Sequence, residues 1–435
     1  MTTSVSDVAH LLRRAGFGGA KAEIDDLASF DLPHVVDQLL NDAVARQPGK
    51  PASASDPNKS DWERFVALGN WWFDQMADAP VPLVEKATLF WHGHLTSAYD
   101  KVPYTEYFWR LNAMQRANAL GNIRTTVQRC AIEPAMLFYL DNAYNVKSAP
   151  NQNFARELLE LFLLGVGTFS ETDVESCARA WSGHNVNLTT EQYQFYPDQH
   201  DYGMKTFLGV TRNWNGPQII DFLFDDPTYR VHVAKFLSAK LWSFFAHPNP
   251  PVGVVNDLAN VMYANNFEMK PVLRALFLRP EFYEKTSKQG LVRSPIEYLV
   301  GIMRASGLRS AEAEPMMHTA GLGQEPFNPP NVSGWKPNRY WLSTGAADAK
   351  VAWASRMTWQ LSDRQRDIFH DLGSVPVPQA IDIALSRVGI TEVSANSKAA
   401  VTTWLTQQRA APYDGWYERL GLSIFMLLLP ELQLA

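Results

Sequence analysis

Apolar residues return every third or fourth position through most of this chain. The pattern runs through VSDVAHLLRRAGF (5–17), VVDQLLNDAV (35–44), FVALGNWWFDQM (65–76), NFARELLELFLL (153–164), VAKFLSAKLWSFF (233–245) and KPVLRALFLRPEFY (270–283). That recurrence places one apolar stripe on a helix of about 3.6 residues per turn, and a stripe of this kind must be covered by another element. It predicts a mainly α, large multi-helix domain spanning 1–435, with the helices packed around a tryptophan-rich core. Helix start signals agree. In FSETDVESCARAW, Ser170 is a good N-cap with Glu171 and Asp173 in the first turn, and Pro82 suits the opening of another helix.

Three stretches depart from the helical period. In NVNLTTEQYQFYPDQHDYGMKTFLG (185–209), apolar and polar residues alternate between turn formers, which predicts a small β-hairpin at about 186–209. GKPASASDPNKSD (49–61) reads as a surface loop, and EPFNPPNVSGWKPNRYW (325–341) holds too much Pro, Asn and Gly for a helix. A weak subdomain boundary is placed near 216, after the hairpin, although no linker marks it. The echo between ALFLRPEFY and FMLLLPELQ suggests two similarly docked helix ends rather than a repeat.

Composition narrows the function classes. The chain has 39 Lys and Arg against 45 Asp and Glu, a formal charge of −6, so no broad basic surface is available to neutralise phosphates and nucleic acid is not an expected partner. The longest apolar run near the C-terminus, LSIFMLLLP, is about half of what a membrane span requires. MTTSVSDVAHLLRRAGFGG lacks the continuous apolar segment of a signal peptide, which predicts a cytoplasmic protein with export left open. Cys130 and Cys177 are the only thiols, and both sit in apolar helical contexts, so two buried free cysteines are expected. Gly-rich phosphate loops, nucleophile elbows, CxxCH and HExxH motifs do not occur.

The chemistry-bearing residues gather in two places. ATLFWHGHLTSAYD (87–100) spends two of ten histidines one residue apart. A two-residue step turns a helix by about 200°, so His92 and His94 cannot share a helical face; the expectation is that the helix ends near His92 and leaves His94 to orient independently. The second place is YLDNAYNVKSAPNQN and the helix after it. Asp141, Asn142, Asn145, Asn151 and Asn153 lead into a column formed by Asn153, Glu157 and Glu160 at i, i+4, i+7, with Arg156 beside Glu160. Turn chemistry explains many of those Asn and Asp residues on its own.

Imidazoles with a carboxylate suit zinc, iron or manganese, which makes His92, His94 and Glu157 the candidate metal ligands. The same three are the candidate catalytic groups for metal-free general acid/base work, with Glu157 raised if buried. The plain alternative is that His92 caps the helix and His94 is a hydrogen-bonded core histidine. Asn145, Asn153 and Asp141 are candidate substrate-positioning groups. Trp335, Tyr340, Trp341 and Arg339, with Asn331, form either a sugar-stacking platform or a Pro-rich loop pinned to the core by its tryptophans. His200-Asp201 reads as a carboxylate-held histidine or a turn, and Lys205 as an anion contact or a solvent-facing side chain.

Taken together, HLLRRAGFGG (10–19), LFWHGHLTS (89–97), PAMLFYLDNAYN (134–145), PNQNFARELLELFLLGVG (150–167), HDYGMKTFLG (200–209), AKFLSAKLWSFF (234–245), RSPIEYLVG (293–301) and PPNVSGWKPNRYWLSTG (329–345) make the chain resemble the bacterial DUF1800 family, a group without an established activity. The resemblance implies a sulfatase-like companion protein, since members are often encoded beside one. Two departures stand out: Gln152 where the family usually has glutamate, and Ser182 to His184 where it usually has Gly-Trp. The reading that follows is an enzyme of unknown substrate, hydrolysing by metal-assisted or acid/base chemistry in a His/Glu/Asn-lined cleft. The alternative is a non-catalytic glycan- or protein-binding protein.

Overall fold

The computed structural model describes residues 3–363, 369–411 and 415–435. The fold is mainly α, as the periodicity predicts, with 22 α-helices and two small antiparallel hairpins among the described residues. The helices that build the site are α1 (Val5–Ala15), α2 (Asp61–Asp78), α3 (Leu83–His94), α4 (Thr105–Asn118), α5 (Asn153–Glu157), α6 (Glu171–Ala180), α7 (Gly216–Asp225), α8 (Tyr229–Phe245) and α9 (Pro295–Ser306). One hydrophobic cluster runs continuously from Val8 to Leu432. Near 216, where a boundary was placed, Gly216 lies against the Trp181 indole so closely that a Cβ would collide with the ring.

Helix α3 is the centre of this packing. All of its residues except Gly93 are buried, and a helix enclosed on every side must find partners for each polar group it carries. Glu85 accepts two bonds from Arg116 of α4, at 2.6 and 3.0 Å, and a third from the Trp72 indole of α2 at 2.9 Å. The next residue, Lys86, is paired with Glu297 of α9. The charges in this apolar helix therefore tie α2, α4 and α9 to it. The end of α3 differs from expectation. It continues past His92 to His94, closed by the Leu95 amide bonding the Trp91 carbonyl at 2.7 Å.

Two further expectations are refined. The hairpin at 186–209 is two successive hairpins: β1 (His184–Asn187) with β2 (Gln192–Phe195), then β3 (Lys205–Phe207) with β4 (Val210–Arg212). The second forms because Leu208 and Gly209 both take positive φ, 48° and 83°, in a two-residue turn that folds the strand back on itself. Helix α5 passes directly into a π-helical turn, Leu158–Leu163, in which the Leu164 amide reaches the Leu159 carbonyl at 2.9 Å. Ser170 caps α6 with a full capping box, and both cysteines are free and buried, as read from sequence.

Removing Glu85 would leave the Arg116 guanidinium buried without its carboxylate, which costs about 3 to 5 kcal/mol. Glu85→Ala is therefore expected to lower the urea unfolding midpoint strongly, and a loss under about 1 kcal/mol would show that the pair does not hold α3 in place.

Candidate functional site

The last turn of α3 meets the Pro-rich loop. His92 Nε2 accepts the Phe327 amide at 3.0 Å, the Tyr99 amide bonds the Phe327 carbonyl at 2.9 Å, and Thr96 Oγ1 donates to the Val332 carbonyl at 2.6 Å. Gly334, at φ 76°, sits against the Gly93 carbonyl where any Cβ would collide. These contacts seat Trp335 beside His92, with ring centroids 5.5 Å apart. Two small-residue positions and two side-chain bonds thus hold a loop that has no regular backbone pairing of its own.

Trp335 is half-buried and is a shared wall of two cavities. The first, of about 370 Å³, is lined by Phe90, His94, Lys240, Phe244, Ser333 and Trp341 among others, with Arg14 and Glu297 at its base. The second, of about 430 Å³, is lined by Asp100, Lys101, Tyr139, Glu325, Asn328 and Trp335. Burial raises the Glu325 carboxyl, and the neighbouring Asp100 raises it further, while the Asn328 amide donating at 2.9 Å pulls it down.

His94 faces the other side of α3 from His92. Its Nε2 donates to the Phe162 carbonyl at 2.9 Å, and its ring stacks on Phe90 at 5.6 Å. The π turn makes that carbonyl available, because a widened turn leaves carbonyls that an α-helix would have satisfied. With Nε2 carrying the hydrogen, Nδ1 is an acceptor in the neutral ring. Burial holds both imidazoles down, to about 3 in each case.

The three expected ligands, His92, His94 and Glu157, are not gathered. His92 is turned to Phe327, His94 to Phe162, and Glu157 stands beside Tyr139 and Glu160, raised first by burial and then by Glu160. Among the described residues no group of three or more His, Cys, Asp or Glu is placed to hold a metal ion, so the donors present do not fit the zinc, iron or manganese expected. The reason is geometric: with α3 helical through His94, the two-residue step turns the chain by about 200° and sends the two rings to nearly opposite sides of the helix.

The Asp/Asn loop is a closed clasp. Asn145 donates to Asn142 Oδ1 and the Ala178 carbonyl and accepts the Asn151 amide, and Asn153 donates to Asp141, which is paired with Lys101 at 2.8 Å. Asp141 takes φ 60°, the left-handed conformation that Asp and Asn tolerate better than most residues. Arg156 pairs with Glu171 rather than Glu160.

Lys205 is buried, not solvent-facing. Its ammonium donates to the carbonyls of Asp201, Gly203 and Trp214, and Asp201 pairs with Arg179. The HDYGMKTFLG stretch thereby becomes a structural staple. His200 Nδ1 bonds the Ser182 carbonyl at 2.8 Å, and His184 takes a hydrogen bond with Tyr193. In the Pro-rich loop Trp341 is buried, whereas Tyr340 and Arg339 are exposed and stack on each other at 5.6 Å.

Lys240, Arg14, Gln324 and Glu325 were not singled out from sequence. The available signal was positional: Arg14 and Lys240 interrupt otherwise apolar helical stretches, and Glu325 opens the Pro-rich loop.

The depressed imidazoles carry a sign. In the unfolded chain they titrate near 6.5, so below that pH the unfolded state binds more protons and stability falls as pH drops toward about 3, by about 1.4 kcal/mol per unit for each ring. Urea unfolding at pH 7 and pH 5 should show this loss, reduced by one ring's share in His94→Gln. An unchanged pH slope in that variant would mean His94 is not held neutral.

The family model described as "Protein of unknown function (DUF1800)" matches residues 10–434. No curated protein and no solved structure matches the chain. Nearly the whole chain is covered by that one match, and the loop and helix end that frame the two cavities lie inside it: the protein belongs to the DUF1800 family.

Proposed function

We propose that this protein binds an extended, polyhydroxylated ligand of the carbohydrate class, laid across Trp335 so that it enters both cavities. The observation that carries the reading is the position of Trp335. It is half-buried against His92 and forms a wall of each cavity, with Trp341 and Tyr139 contributing one further ring to either side. Planar rings pack on the apolar faces of pyranoses, while Ser333, Gln324, Asn338 and Asn328 supply neutral donors and acceptors for hydroxyls. This is the binding alternative read from the sequence, centred on the same loop.

A second reading, hydrolysis of that ligand by general acid/base chemistry, is favoured by one specific observation. Glu325 lines the second cavity with Asp100, and its carboxyl is raised by burial and by that neighbour. Two carboxyl groups facing one cavity, one of them raised by burial, is an arrangement that glycoside hydrolysis uses. Here the roles fall to Glu325 and Asp100 rather than to Glu157 and the histidines. A cytoplasmic protein working with a sulfatase-like companion, and without nucleic acid, remains part of the proposal. No helix among the described residues is long and apolar enough to cross a membrane.

Isothermal titration with cellohexaose and maltohexaose tests the binding reading: the protein should take up at least one of them, and Trp335→Ala should weaken that binding at least tenfold. Binding of neither, or equal binding by the variant, overturns it. Release of reducing ends by the wild-type protein, lost in Glu325→Gln with binding kept, is the outcome expected of the hydrolytic reading. A wild-type protein that binds without releasing ends leaves the binding reading alone standing.

A further inference from the structure

Glu297, which lines the 370 Å³ cavity together with Arg14, is surrounded by more buried positive charge than negative. Arg14, Lys86 and Arg293 are buried around a single carboxylate, Glu297. Burial alone would raise that carboxyl, but Lys86 and Arg14 hold it at about 2, while burial lowers Lys86 to about 8 and Arg293 to about 10. Isolated charge in an apolar interior is costly unless an opposite charge meets it.

Within this group Arg14 is incompletely used. Its Nε donates to the Phe245 carbonyl at 2.7 Å and Nη2 to the Phe244 carbonyl, whereas Nη1 lies 3.7 Å from Glu297, beyond hydrogen-bond reach. No other partner for Nη1 is found among the described residues. Arg14 lines the cavity, and it is almost wholly buried at 1% exposure. Lys240 stands at the outer end of the same cavity, exposed, over the Phe236 ring at 5.2 Å, with no carboxylate partner among the described residues. Among the described residues Glu297 is the only acidic side chain in the lining. Leu89, Phe90 and Phe244 also line the cavity, and such apolar walls keep the local dielectric low and focus the field of its charges.

We propose that this cavity is an oxyanion site: a carboxylate, sulfate or phosphate group on the ligand is received by Arg14 from the base and Lys240 from the mouth. A guanidinium presents donors in a planar fork that matches such groups, and an ammonium adds a second charge without fixed geometry. His94 does not compete for the anion, since its neutral ring offers an acceptor at Nδ1. The site deepens the carbohydrate reading by making the ligand an acidic one, and it rests on that reading only for the sugar portion.

The test is titration calorimetry on the full chain with inorganic phosphate, and separately with glucuronate and glucose, at constant ionic strength set with chloride. Phosphate should bind, and Lys240→Gln should weaken it at least fivefold, while Lys235→Gln on the same helix leaves it unchanged. Glucuronate should bind at least fivefold more tightly than glucose. Arg14→Gln would disturb the carbonyl bonds that pack α1, so the exposed Lys240 carries the decisive comparison. No phosphate binding above chloride, or equal binding by Lys240→Gln, overturns the proposal. Phosphate binding that depends on Lys240, with neither sugar bound, keeps the oxyanion site and overturns the carbohydrate reading. Equal binding of glucuronate and glucose without phosphate binding does the reverse.

Discussion

Everything at the site depends on how the loop after Phe327 is fastened to the end of α3. A Pro- and Asn-rich segment makes few backbone bonds to itself, so its position is set by bonds to other elements. Here those bonds come from His92, Thr96 and the backbone of Tyr99, and from the close approach of Gly334 to Gly93. His92 is more than a space-filling ring in this arrangement. It must be neutral to accept the Phe327 amide, and burial among Trp72, Phe327 and Trp335 keeps it so.

The second histidine does different work through the same logic. His94 is tied to a carbonyl that the π turn after α5 leaves free, which fixes its tautomer and joins the helix end to the 158–163 segment. The His-X-His pair is thus a double fastening that points in two directions, one ring to each flank of α3. The charged residues of α3 extend the pattern inward: Glu85 and Lys86 are one residue apart, face different neighbours, and bring α4 and α9 against the same helix.

Much of the architecture was readable from period and punctuation. The apolar recurrence located the helices, Ser170 located the start of α6, and the Pro/Asn/Gly content of 325–341 excluded a helix there. Of the stretches that drew attention for their polar residues, 87–100 and 325–341 contribute residues to the two cavities, whereas the Asp/Asn loop and the 200–209 stretch bond mainly to their own surroundings. Individual roles were less legible. Asn145 and Lys205 look like ligand contacts in a sequence, yet each is consumed by backbone groups brought in from elsewhere in the chain. Glu325 and Arg14 look ordinary in sequence, and acquire interest only because tertiary packing half-buries the first beside Asp100 and buries the second against a cavity.

Local rules therefore decided what lies close along the chain: helical periodicity, caps, and the two buried free thiols. They also decided that His92 and His94 would diverge, once the helix was known to run through both. What they could not decide was which partner each polar group would find, because those partners lie far away in the chain, as Thr96 and Val332 do at 236 residues apart. Burial, and with it the neutral state of the imidazoles and the surplus positive charge under the cavity, is a property of the whole packed chain. No window of sequence carries it, since the dielectric around a side chain is set by every element that excludes water from it.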